Sequence, residues 1–205
     1  MNDGKTVYEQ TLEGYRDRFK ALSLEHLAKN PDIKVGSRSV KLMFFNEPFH
    51  VSDRGVFTEV GKEASFEVCV VIYNYLLRYR KGEKNPGAWV AYRDTQHSGP
   101  LTVYFADSVE KKIVDVYGKK GPALMDACHF LGGRKPENAP DVDVAMVFQA
   151  LPDLQLLFLF NHQDEDFPAS CSVLFRQGVE RFLDPESLAI LGAVFASKLA
   201  GRNPA

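Results

Sequence analysis

The sequence predicts an α+β fold, an antiparallel sheet of about five to seven strands with helices packed against it, in a single domain over residues 1–205. Three observations carry this. Within Ala64 to Tyr79, the residues Phe66, Cys69, Val70, Tyr73, Leu76 and Leu77 follow the 3.6-residue period of one helix face. Val142, Val144, Met146, Phe148 and Ala150 alternate with more polar positions, which is the period of a strand. After a turn at Pro152-Asp153, the run Leu154 to Phe160 is apolar at nearly every position, as a central strand covered on both faces would be.

In chain order, Val7 or Tyr8, Leu12, Tyr15, Phe19 and Leu22 recur at three- and four-residue steps among charged residues, so the N-terminal segment, residues 1–30, is helical. A second helical piece, Leu24 to Lys29, is capped by Ser23 and stopped by Asn30-Pro31. Ser39 to Phe45 and Phe49 to Ser52 form a hairpin around Asn46-Glu47-Pro48, and Asp53-Arg54-Gly55 turns into a third strand, Val56 to Thr58. Gly82 ends the Ala64 helix, and Asn85-Pro86-Gly87 is a loop. Trp89 to Arg93 and Leu101 to Phe105 are expected to be extended. Asp107-Ser108-Val109-Glu110 has capping-box spacing, so a helix is expected to start there and stop at Gly118. Pro122 opens another helix, which carries Leu124, Met125, Cys128 and Leu131 and closes at Gly132-Gly133. Cys171 to Phe175 is a further strand. Asp184-Pro185-Glu186 opens a final helix with Leu188, Leu191, Val194, Phe195 and Leu199 on its apolar face, and residues 201–205 form a frayed tail.

Hydrophobic residues make up 45% of the chain, with 15 Phe and 8 Tyr, enough for a sizeable core. A formal net charge of -2 with both signs mixed along the chain offers no field of one sign, which argues against nucleic acid as a partner. Met1-Asn2-Asp3-Gly4-Lys5 leads into a charged segment without the apolar core of a signal peptide, and no apolar run approaches the roughly 20 residues of a membrane helix. The cysteines Cys69, Cys128 and Cys171 are scattered and odd in number, as reduced thiols are, so a cytoplasmic protein that does not engage a membrane is expected.

Trp89-Val90-Ala91-Tyr92-Arg93-Asp94, Leu131-Gly132-Gly133, Asp166-Phe167-Pro168 through Leu174-Phe175, and Leu183-Asp184-Pro185-Glu186 follow one another along the chain. In this order they resemble the domain-of-unknown-function family 3786, over most of the chain from Leu24 onward. The resemblance implies a setting rather than a reaction: anaerobic bacteria and archaea, where some such domains accompany iron–sulfur segments similar to those of corrinoid methyl-transfer proteins. A corrinoid or iron–sulfur protein is therefore an implied partner. The chain itself lacks the four closely spaced cysteines that such a cluster requires. Arg176 departs from the pattern, which leads one to expect an acid after Leu174-Phe175.

No nucleophile elbow, metal-ligand spacing or phosphate loop names a reaction or a cofactor. Trp89, Tyr92, Arg93, Asp94 and His97 combine rings with a guanidinium fork, a composition that grips a small anionic ligand. The plainer reading puts Trp89 in the core and pairs Arg93 with Asp94. His162, Asp164, Glu165 and Asp166 gather oxygen ligands on one loop, as a hard metal cation prefers; the plainer reading is a solvated acidic turn. Cys171, at a strand start near that loop, is the thiol to test for reactivity, whereas Cys69 and Cys128 fall on apolar stripes and belong to the core. Three functions follow: a non-catalytic accessory or ligand-binding domain of anaerobic metabolism, an enzyme acting on a small anionic metabolite with Arg93 as anchor, or a protein-interaction scaffold.

Overall fold

Helix α1 (Val7–Lys20) begins at Thr6, where hydroxyl and backbone exchange hydrogen bonds with Glu9 in a reciprocal cap. The computed structural model describes residues 5–80, 87–119 and 121–201. The expected stop at Gly82, the Asn85-Pro86 part of the loop and residues 202–205 of the tail lie outside the described residues. Leu12, Tyr15 and Phe19 turn one face of α1 onto the core. The expected helix from Leu24 is only a 3₁₀ turn, Leu27–Lys29, with no side-chain cap from Ser23. So short a segment before Asn30-Pro31 cannot offset the cost of nucleating an α-helix.

Strands β1 (Lys34–Val35), β2 (Ser39–Phe44), β3 (Glu47–Ser52) and β4 (Gly55–Thr58) form an antiparallel meander in that order. The β2–β3 turn is tighter than the sequence suggests: Phe45 and Asn46, at φ 46° and 63°, make a two-residue loop with both residues left-handed. Glu47 and Pro48 are in the strand, opposite Phe44 and Met43. Proline is tolerated because the β3–β4 pairing ends at Phe49↔Thr58, so no neighbouring strand needs the missing N–H of Pro48. A phenylalanine at positive φ is strained. Its surroundings hold it there: the ring is buried and stacks on Phe195 at 5.6 Å, and its N–H donates to Ala150 O at 3.1 Å.

Strands β5 (Trp89–Ala91), β6 (Val144–Leu151), β7 (Leu154–Asn161) and β8 (Ser170–Arg176) make a second antiparallel sheet in the order β5-β8-β7-β6. The apolar run of β7 is explained by its central place, with β6 and β8 on either side. The bond from Phe45 N–H to Ala150 O links the two sheets.

Helices fill the remaining space: α2 (Phe66–Arg78), α3 (Thr102–Phe105), α4 (Lys112–Tyr117), α5 (Gly121–Phe130) and α6 (Pro185–Ala200). Leu101–Phe105 is therefore not extended. Its β-branched and aromatic residues imitate a strand, but the 3₁₀ turn Gly99–Leu101, with Pro100 in its first turn, leads directly into α3. Nor does Asp107 cap a helix. A six-residue π turn, Ala106–Lys111, joins α3 to α4 without a break. The last helix, α6, is the hub of the core, since Phe195 touches Phe45, Phe148 and Phe158 from both sheets. Gly192 lets α6 approach the helical run closely: a Cβ there would lie 2.4 Å from Phe105 Cε2. Among the described residues no helix is long and apolar enough to cross a membrane.

Candidate functional site

The residues Trp89, Tyr92, Arg93, Asp94 and His97 diverge. Trp89 lies on the edge strand β5 opposite Arg176, whose guanidinium carbon stands 3.7 Å from the centre of the indole. Arg176, the departure from the family pattern, thus has a visible structural role, reinforced by its donation to Gly87 O at 3.1 Å. Tyr92 turns into the core, its ring flat on Phe105 at 4.4 Å and its hydroxyl donating to Pro185 O at 2.9 Å. Burial pushes that hydroxyl up to about 12. Arg93, Asp94 and His97 point outward, with Arg93 Nε 4.0 Å from Asp94 Oδ1.

In the acidic loop, Asp164 Oδ1 accepts from the N–H groups of Asp166 at 2.9 Å and Phe167 at 2.6 Å, so this carboxylate closes the turn it sits in. The ring of His162 stands edge-on to Phe160 at 5.0 Å, and its backbone N–H donates to Asp143 Oδ2 at 2.7 Å. Glu165 and Asp166 face solvent. Among the described residues no group of three or more His, Cys, Asp or Glu is placed to hold a metal ion.

Burial, then the nearby negative charge of Glu110, pushes the Cys171 thiol well above its usual range, opposite to the shift that makes a reactive thiolate. Burial likewise pushes Cys69 to about 11 and Cys128 to about 12. Glu110 is the residue that the sequence reading missed. The π turn aims its carboxylate at β8, where it accepts from Val173 N–H at 3.1 Å. Burial raises this carboxyl, while that bond and the charge of Arg93 lower it. Two residues chosen separately from the sequence are therefore linked electrostatically through Glu110, since the charge of Arg93 lowers its carboxyl and its own charge raises the Cys171 thiol. Its capping-box spacing gave no sign of this, because the interaction depends on the register of a π turn.

Two hollows stand out. The larger, a groove of about 1180 Å³, runs between the start of α2 and the helical run 102–117, with α6 beneath it. Val68, Val116, Ala193 and Val194 supply its apolar surface. Glu47, Glu63, Glu67, Asp107 and Asp115 stand around it with Lys62, Lys111, Lys112 and Lys198. Lys198 is held by Glu47 at 2.8 Å and Glu63 by Arg16 at 3.0 Å. Among the described residues Lys62, Lys111, Glu67, Asp107 and Asp115 have no ion-pair partner. The second hollow, of about 580 Å³, lies where β1 and β2 meet β6. Neither was legible in the sequence, since each is assembled from short contributions of distant segments.

No curated protein and no solved structure matches the chain. A family model matches residues 23–198, reaching from the turn after α1 into the last turn of α6, and so spans both sheets and both hollows. The chain belongs to the family described as Domain of unknown function (DUF3786).

Proposed function

We propose that this is a non-catalytic accessory domain that binds a small molecule bearing charges of both signs in the groove over α6. The observation that carries the reading is the composition of that groove: Lys62 and Lys111 stand with Glu67, Asp107 and Asp115, all without an ion-pair partner among the described residues, beside the apolar Val68, Val116 and Val194. Convergent charged groups beside an apolar surface are what a ligand site offers. The π turn along one wall supports it, because such turns occur frequently at functional sites. The family resemblance supports a role in anaerobic metabolism beside a corrinoid or iron–sulfur protein.

One contact favours an enzyme instead. Lys112 Nζ donates to Ser197 Oγ at 2.8 Å at the groove, a nucleophile beside a base. A lysine serves as base when burial strips its proton, and Lys112 is exposed and acts as the donor. The binding reading is therefore preferred.

A thermal-shift screen of anaerobically purified protein against amino acids and betaines, corrinoids, nucleotides and small anions tests it. A ligand at about 100 times its dissociation constant adds roughly 2.7 kcal/mol of stability. A zwitterionic hit abolished by Asp107→Asn or Lys111→Gln and kept by Ser197→Ala supports the reading. Turnover that disappears in Ser197→Ala, or a flat screen, refutes it; the flat screen turns attention to a protein partner captured by pull-down.

A further inference from the structure

We infer that the cleft between the outer faces of the two sheets binds a small organic anion, at a site that shares no lining residue with the groove. In β2, Lys41 and Met43 alternate with buried Val40, Leu42 and Phe44 and so face away from the core. In β6, Val147 and Gln149 do the same between buried Met146, Phe148 and Ala150. The cleft lies where these outward surfaces meet, and the segment after α5 closes one side.

That segment is firmly placed. Arg134 exchanges both backbone hydrogen bonds with Val147, N–H to O at 2.9 Å and O to N–H at 2.8 Å, which pins its backbone to β6 and fixes this exposed residue in the lining of the cleft. Gly132, at φ 79°, makes the turn that delivers it, and a Cβ there would press on the Asn46 side chain at 3.2 Å. Asn46 itself belongs to the strained Phe45-Asn46 turn, so two left-handed backbone segments are held side by side at this site.

The chemistry of the lining is one-sided. Lys34, Lys41 and Arg134 oppose the single carboxylate of Asp32, in a chain whose formal net charge is -2. Glu59 holds Lys41, which leaves Lys34 and Arg134 without an ion-pair partner among the described residues. Met43, 42% exposed, contributes apolar surface together with Val147 and Pro152. Gln149 is fixed by its own donations to Leu151 O and Leu154 O, and it accepts from Gln155 Nε2, which leaves the Gln155 oxygen for a ligand hydroxyl or amide. A hollow of about 580 Å³ is of the size small molecules fill. The occupant that satisfies these groups has an oxyanion for the Arg134 fork and Lys34 and an apolar body for Met43 and Val147.

Phenyl phosphate, which has both parts, is the probe, titrated calorimetrically and by the methyl NMR signals of Met43 and Val147. Saturable binding that moves those signals, exceeds the affinity for inorganic phosphate and weakens with added salt is expected. Arg134→Gln should weaken it about tenfold, and Lys34→Gln several-fold, as loss of a charge-assisted bond does. Both variants should melt like the parent without ligand, because the Arg134–Val147 bonds are made by backbone. Asp107→Asn, in the groove, should leave phenyl phosphate binding unchanged, which separates this inference from the groove reading. Absence of saturation by about 10 mM, equal affinity in parent and both variants, or signals moving only elsewhere would each overturn it.

Discussion

Replacing Gly192 by alanine should destabilise the fold even though alanine is the better helix former. Gly192 lies inside α6, where Gly→Ala alone is worth about 0.5–1 kcal/mol in favour of folding. The added Cβ would stand 2.4 Å from Phe105 Cε2, 3.0 Å from its Cζ and 3.1 Å from Val109 Cγ2. Favourable carbon contacts lie at about 3.5–4.0 Å, so the shortest falls about 1 Å short. The ring has little room to yield, being stacked on Tyr92 at 4.4 Å and edge-on to Phe175 at 5.9 Å. Overpacking of this kind costs about 1–3 kcal/mol. With the obstruction at the upper end, about 3 kcal/mol, the net loss is about 2–2.5 kcal/mol, a fall of about 4–10 °C in Tm for a chain of this size. The control is Gly14→Ala in α1, where no atom lies within 4 Å of the added Cβ and the same substitution should raise Tm by about 1–4 °C. Thermal unfolding of both variants beside the parent measures this; Gly192→Ala melting at or above the parent temperature would refute the packing argument.

Asp184 caps α6 by accepting from Ser187 N at 2.8 Å and also accepts from Asn74 Nδ2 at 2.6 Å, with Asn74 only 4% exposed. Asp184→Ala should therefore cost about 2–3 kcal/mol in urea unfolding, the cap plus the charge-assisted bond to a buried amide that keeps only its longer donation to Tyr15 Oη at 3.4 Å, and Asp184→Ser should recover only the cap. Because burial raises the Glu110 carboxyl above 4.5, the folded chain holds that proton more tightly than the unfolded one. The associated stability is complete below 4.5 and is lost as pH rises through the raised value, so Glu110→Gln should be more stable than the parent near neutral pH and lose that margin in acid. A Tm difference that widened toward low pH would contradict this. The buried thiols of Cys69 and Cys128 should react with a disulfide reagent no faster than the protein unfolds, and the half-buried Cys171, its thiol pushed up by burial and by Glu110, should react slowly. A rapid phase lost in Cys171→Ser would show that Cys171 is reactive after all.

The parts of the fold legible in the sequence were those in which one period runs long enough to exclude others. Helix α2, buried nearly all round, and the β6–β7 hairpin appear within a residue or two of their expected bounds. Thr102-Val103-Tyr104-Phe105 failed because β-branched and aromatic composition expresses a preference for a packed, pleated surface, and tertiary contact overrode it. The turn at Phe45-Asn46 was illegible because its strain is balanced by Phe195 and Ala150, which lie far away in the chain. The aromatic and basic composition of Trp89 to Asp94 looked like a site, but strand alternation followed by a 3₁₀ turn sends its side chains in different directions. Lys34, Met43, Arg134 and Val147 share a cleft only after both sheets have formed.

The position of Phe195 bears on how the chain can assemble as it is synthesised. Among the described residues all eight strands precede α6 along the sequence, so Phe45, Phe148 and Phe158 leave the ribosome before the ring that joins them. Strand β5 likewise waits for β8 to be made before it can pair. A nascent chain stopped after β8 therefore holds every strand of both sheets with apolar rings still open to water, the kind of intermediate that aggregates or engages a chaperone. Closing the core therefore requires α6, and a ribosome-stalled chain lacking it should remain open to proteolysis until α6 has emerged.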